Sequence, residues 1–157
     1  MKEVSKGSDA IIIKSDIPEK ISDSIGFGTS YNYSEDDVVL KLTDSKFEND
    51  YLQLDKFPTK SNITYIKPNI EILGKSIESD SDDQANFIKT KLGKGTIYVH
   101  TEPLFLTNYY LLKNGSLKYT QDVLSYLPDR ETLWFVEKSE KESTSVMRFI
   151  LSKDSFK

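Results

Sequence analysis

Cysteine is absent from this 157-residue chain. Disulfides, thiolate nucleophiles and cysteine-ligated zinc or iron–sulfur sites are thereby excluded within it, because each requires a thiol. Histidine occurs once, at His100, too few for a histidine cluster around a transition metal. No apolar run reaches the roughly 18 residues a membrane-crossing helix needs. Residues 1–9 are polar and lack the apolar stretch of a secretory leader. Basic charge is also scarce: the net charge is −4 and no cluster of Lys and Arg stands out, so the electrostatic footprint of a nucleic-acid binder is missing. No metal and no cofactor is expected, and nucleic acid is not expected as a partner. What is present is 37% hydrophobic and 11% aromatic content, enough to bury a core in one domain, with or without an added subdomain. Lack of cysteine suits an oxidising compartment.

The chain opens in the grammar of an α/β sheet. Residues 2–8 read as the last turn of a helix closed by Gly7. Residues 10–14, Ala-Ile-Ile-Ile-Lys, form a continuous apolar run, as in a strand buried on both faces. Asp16, Pro18 and Glu19 signal a helix over 18–25, with Asp16 as its cap and Gly26 and Gly28 ending it. The grammar then changes to short β-type runs at 38–43, 51–54, 63–66 and 70–73, separated by polar turns and by Pro58 and Pro68. Val38, Leu40 and Leu42 alternate with Val39 and Lys41, which predicts one buried face. These runs predict an antiparallel meander inserted over 35–75. Residues 78–83 are an acidic loop, but they lack the Gly and distal Glu of a calcium loop.

The most ordered stretch is 85–127. It predicts a strand, a tight turn at Gly93-Lys94-Gly95, and a second strand ending before Pro103. On that second strand Ile97, Val99 and Thr101 share one face, and Tyr98, His100 and Glu102 the other. An apolar helix over 104–112 follows, then a turn at Asn114-Gly115. A helix carrying Tyr119, Val123 and Leu127 comes next and stops at Pro128. Residues 133–136, Leu-Trp-Phe-Val, read as a final strand. Tyr109, Tyr110, Tyr119, Tyr126 and Trp134 read as core aromatics.

One acid–base pair merits attention: His100 and Glu102, two apart on one strand face, where a carboxylate can orient an imidazole. That is two parts of a nucleophile–His–acid triad. Ser15, in the turn after the first strand, is the candidate nucleophile, although no Gly-x-Ser-x-Gly pattern surrounds it. A hydrolase built on Ser15, His100 and Glu102 is one reading. A small-ligand sensor with a pocket at the carboxyl edge of the sheet is another.

The block at 93–113, beginning Gly-Lys-Gly-Thr-Ile-Tyr-Val-His-Thr-Glu-Pro, together with Tyr-Thr-Gln-Asp-Val-Leu-Ser-Tyr-Leu-Pro at 119–128 and Trp134-Phe135, resembles a bacterial membrane-anchored family of unknown function. Its extracytoplasmic region is similar to type 1 glutamine amidotransferases. Residues 6–15 and 145–152 are similar to two further segments of that family. The resemblance implies an open mixed α/β sheet of amidotransferase-like type (α+β in character) lacking its first strands. It would occupy 1–137 with 35–75 as the insertion, and 138–157 would be a polar tail leading to a membrane-proximal segment. It implies a longer protein, anchored by segments outside these residues and held at the periplasmic face of the inner membrane. His100-Thr101-Glu102 would stand where active amidotransferases carry a His-x-Glu pair, whereas the cysteine of those enzymes has no counterpart beside Ser15 and Asp16. The implied role is a non-catalytic envelope domain that binds a protein partner, in a setting that includes a MoxR-type ATPase system, with a homodimer as a further possibility.

Overall fold

The computed structural model describes residues 1–33, 37–47, 50–55, 59–78, 81–113 and 116–135. The tail 138–157, Pro58, Val136 and the Asn114-Gly115 turn lie outside these residues. Helix α1 (Lys2–Lys6) closes on Gly7 and leads into β1 (Ala10–Ile13). Helix α2 (Glu19–Ile25) follows and ends at Gly26 in the left-handed conformation. Its N-cap position is held by Pro18, with no side-chain cap, and Asp16 is exposed. Proline there presets φ for the helix start, so the expected Asp16 cap is not used. Gly28 does not terminate the helix but lies in β2 (Phe27–Tyr33), a strand the sequence reading passes over.

The remaining strands are β3 (Val38–Leu42), β4 (Tyr51–Leu54), β5 (Thr59–Ile66), β6 (Glu71–Glu78), β7 (Ser81–Leu92) and β8 (Gly95–His100). They form one open mixed sheet of eight strands, in the order β1-β8-β7-β6-β3-β4, with β2 and β5 branching from β7. Among the described residues only β1 and β8 pair in parallel, Ala10 to Ile13 lying opposite Ile97 to His100. The inserted part is antiparallel, as expected, but it is not a meander. Strand β3 sits between β4 and β6, and β5 pairs with β2 and β7 rather than with its sequence neighbours. Of the expected acidic loop, Glu78 ends β6 and Ser81 to Asp83 begin β7, with Ser81 opposite Glu78, and Ser79 and Asp80 lie outside the described residues.

Strand β1 lies at the sheet edge and its residues are half-buried, a correction to the reading of a fully buried run. The apolar run reflects layers on the two faces. Ile11 and Ile13 pack into one core with Phe87, Phe105, Tyr119 and Val123. Ala10 and Ile12 pack into a second core with Val4, Ile25, Ile88 and Val99. Strand β3 alternates between buried and half-buried residues, as its spacing predicts.

The Gly93-Lys94-Gly95 turn serves two purposes. Gly93 supplies the positive φ of a tight hairpin, at 61°. Gly95 is bare because α1 docks on it: a Cβ there would run into the carbonyl oxygens of Val4 and Ser8. The Lys94 N–H also donates to the Ser5 carbonyl at 3.1 Å.

After β8 the chain forms a 3-10 turn (Pro103–Leu106), then α3 (Asn108–Leu111) and α4 (Ser116–Leu124). The single buried helix expected over 104–112 is therefore two short pieces. Phe105 and Tyr110 are buried while Tyr109 and Leu112 are exposed. Leu133, Trp134 and Phe135 form no strand among the described residues and are exposed.

Candidate functional site

Residues 100–102 lie where the sheet forks. Along one edge of β7, β8 is the neighbour from Leu92 to Phe87. His100 is its last paired residue, and β5 takes over that edge at Ala85. Thr101 closes the fork. Its N–H donates to the Asn86 carbonyl at 2.9 Å, and its hydroxyl reaches the Ser61 and Asn86 carbonyls. Three strands thus meet on one fully buried threonine.

His100 points into the first core and is wholly inaccessible to solvent. Phe105 and Phe87 lie 4.6 and 5.1 Å from it, centroid to centroid. Its Nε2 meets the Tyr119 hydroxyl at 3.0 Å. Its Nδ1 accepts the backbone N–H of Glu102 at 3.1 Å. An acceptor Nδ1 carries no proton, so the ring is the neutral Nε2–H tautomer and donates to Tyr119. Burial disfavours the imidazolium and lowers the His100 pKa to about 3. The Tyr119 hydroxyl is pushed up, first by burial and then by the nearby Glu102 charge.

Glu102 does not orient the imidazole with its carboxylate, as the strand-face reading expects. The strand ends at His100, and Glu102 becomes the N-cap of the 3-10 turn, its Oε1 accepting the Leu104 N–H at 3.0 Å. Pro103 explains the change: proline suits the first position of such a turn, and the preceding residue then stands where a capping oxygen is needed. Burial raises the Glu102 carboxyl to about 7, against the opposing pull of the Leu104 hydrogen bond.

Ser15 lies near this point along the backbone. Ile13 is opposite His100, the Lys14 N–H donates to the His100 carbonyl at 3.1 Å, and the Ser15 carbonyl accepts from the Ser61 hydroxyl at 2.6 Å. The side chains do not form a triad. Both nitrogens of His100 are engaged by Glu102 N–H and Tyr119, so no ring nitrogen remains to take a proton from Ser15. The chain after Ser15 bends through Asp16 and buried Ile17 before the helix, which is not the strand-to-helix elbow of a nucleophile.

The end of β8 is filled rather than hollow, with Phe105, Tyr110, Tyr119 and Val123 all at zero exposure. Sequence spacing placed Tyr119 on the core face of α4 but gave no sign of its bond to His100. For Thr101 the strand spacing predicts only a place on the opposite face, and its role at the fork carries no local sequence signal. Among the described residues no group of His, Asp and Glu could hold a metal ion. No helix among them is long and apolar enough to cross a membrane.

No family model matches the chain, and no curated protein matches it. Among solved structures, it is similar to an exo-beta-1,4-mannosidase, Op5Man5, from Opitutaceae bacterium strain TAV5, at 11% identity and a TM-score of 0.55. The match covers 82% of this chain and 22% of the mannosidase. At that identity the likeness is one of fold. The chain spans about a fifth of the length of that enzyme.

Proposed function

We propose that this domain is a non-catalytic, amidotransferase-like envelope domain that serves as a protein-interaction module of a longer, membrane-anchored protein. The observation that carries the reading is the state of His100. An acid–base residue has to reach a substrate, and this one is sealed among Phe87, Phe105 and Tyr119 with both nitrogens committed. Glu102 is spent on a backbone cap. The chemistry that would make a hydrolase of Ser15, His100 and Glu102 has no free base, and among the described residues the end of β8 is filled by Phe105, Tyr110, Tyr119 and Val123 where a sensor would need a pocket.

Two surface features favour interaction. Strand β1 is an edge strand of apolar residues, and unpaired edges accept added strands. Leu133, Trp134 and Phe135 are 74%, 60% and 88% exposed, and Arg130 ties the preceding chain to Asp9, just before β1, at 2.7 Å. Exposed aromatic and aliphatic anchors of this kind are characteristic of binding surfaces. The partner on this reading is a protein of the membrane complex, with the MoxR-type ATPase system as the setting, at the periplasmic face of the inner membrane.

The test is site-specific photocrosslinking in cells from Trp134 and from Asp16, exposed just after β1, in the membrane-anchored protein. A discrete adduct from either position, weakened by Phe135→Ala, is the expected result. Crosslinks confined to lipid, or none at either position, would overturn the reading.

A further inference from the structure

A groove of about 370 Å³ opens on the face of the sheet formed by β3 and β6, remote in sequence from His100. Its lining includes Lys41, Thr43, Ser45, Lys75, Ile77 and Asp83. The register explains the concentration of charge. Lys41 lies directly opposite Lys75 across the antiparallel β3–β6 pair, and Val39 lies opposite Ile77 one step along. Directly opposed residues share a face with Cβ atoms about 5 Å apart, where two like charges are unfavourable. Leu40 and Leu42 point the other way, into the first core, so the lysine face is the half-exposed one.

The two ammonium groups are poorly compensated. Asp83 pairs with Lys75 at 3.5 Å, with both side chains close to half-exposed. Asp44, at the groove end, is engaged by Lys46, through its ammonium at 3.3 Å and its backbone N–H at 3.1 Å. Among the described residues Lys41 has no ion-pair partner. With Lys46 counted beside the groove, three lysines (Lys41, Lys46 and Lys75) stand against two carboxylates, Asp44 and Asp83, a local positive excess in a chain of net charge −4. Lysine pairs of this spacing suit a small oxyanion, because each ammonium offers rotatable donors to separate oxygens. The Ser45 hydroxyl, exposed at the groove mouth, adds a donor, and Ile77 supplies an apolar side against which the rest of a ligand would lie.

We propose that this groove is an oxyanion site in which Lys41 and Lys75 hold a phosphate or carboxylate group of a small ligand. The site is independent of the interaction reading above and stands or falls without it. Binding relieves the Lys41–Lys75 repulsion and competes with Asp83 for Lys75.

The experiment is an NMR titration of the intact chain with lysine side chains isotopically labelled, at low ionic strength and matched chloride. Inorganic phosphate is the first probe and succinate the second. Saturable shifts confined to Lys41 and Lys75 are expected with one or both probes. A response to phosphate alone identifies a phosphate site, and a response to succinate alone a carboxylate site. Lys41→Gln/Lys75→Gln should weaken binding at least about tenfold, while thermal unfolding, read in parallel, is unchanged or slightly raised by removing like charges. Shifts spread evenly over all lysines, linear without saturation, or unchanged in the double variant would overturn the proposal.

Discussion

The imidazole of His100 and the hydroxyl of Tyr119 meet at 3.0 Å in a space from which solvent is excluded around both side chains. Since Glu102 N–H occupies Nδ1, the proton on Nε2 is the one shared with Tyr119. The pair is a polar link between the end of β8 and α4, embedded in aromatic rings.

The first prediction concerns its protonation. In an NMR titration the nitrogen shifts of His100 should report the Nε2–H tautomer and stay constant from pH 8 to pH 5, consistent with a pKa lowered to about 3 by burial. Glu102→Gln should leave that tautomer in place, because the contact to Nδ1 is made by the backbone. A midpoint close to the ordinary 6.5, moving in the variant, would mean that ring and carboxylate are paired and open to solvent.

The second prediction is energetic. Tyr119→Phe leaves a buried Nε2–H without its acceptor, which costs roughly 1–3 kcal/mol. His100→Phe removes both ring nitrogens and strands the Tyr119 hydroxyl and the Glu102 N–H. The double variant, measured by urea unfolding, should be more stable than the sum of the two single losses implies, with a coupling of about 1 kcal/mol or more. Strict additivity would mean that the 3.0 Å contact contributes nothing to the pair.

How much of this was legible in the sequence depends on the range of the interaction. Val38, Leu40 and Leu42 declared their buried face through local alternation, and Gly93 declared its turn through the φ it permits. The facing of Tyr98, His100 and Glu102 was also readable, up to the point where Pro103 ends the strand. The depth of His100 was not, because it is set by Phe105 and Tyr119 from later elements. Strand β2 was missed because Phe27-Gly28-Thr29-Ser30 carries turn-forming residues, and its strand character comes from pairing with β5. Conversely, Leu133-Trp134-Phe135 has strong strand propensity but no neighbouring strand among the described residues. Propensity without a partner does not make a sheet.

A third prediction follows from two buried groups displaced in opposite senses. The unfolded chain protonates His100 near 6.5, whereas the folded chain resists until about 3. Stability from this group is complete above 6.5 and is lost as pH falls toward 3. Glu102 behaves inversely: the folded chain keeps its proton up to about 7, while the unfolded chain releases it near 4.5. Its contribution is complete below 4.5 and is lost as pH rises to 7. Between 4.5 and 6.5 the folded state holds its proton on Glu102 and the unfolded state on His100, so these two slopes cancel. Chemical denaturation across pH should show the parent nearly flat between 4.5 and 6.5, whereas Glu102→Gln unmasks the His100 slope there, so that its acid limb begins at 6.5 instead of 4.5, and removes the fall between 6.5 and 7. A variant curve parallel to the parent throughout would show that Glu102 is ionised at neutral pH and solvated.

The last prediction tests what holds the fork of the sheet. Thr101 is fully buried, and its hydroxyl donates to the Ser61 carbonyl on β5 while its N–H holds Asn86 on β7. Thr101→Val keeps the shape but leaves the Ser61 carbonyl without this donor in a place water does not reach, at a cost of roughly 1–3 kcal/mol. Thr101→Ser keeps the donor and loses one methyl, about 1 kcal/mol of burial and packing. If the hydroxyl ties β5 to the fork, the valine variant is the less stable of the two by urea unfolding. Its amides at Ile63 and Thr64 should also exchange with solvent faster than those of Ile97 and Val99 on β8. The reverse order, with serine the worse substitution and β5 amides unaffected, would assign Thr101 to packing and leave β5 held by its pairing with β2 and β7.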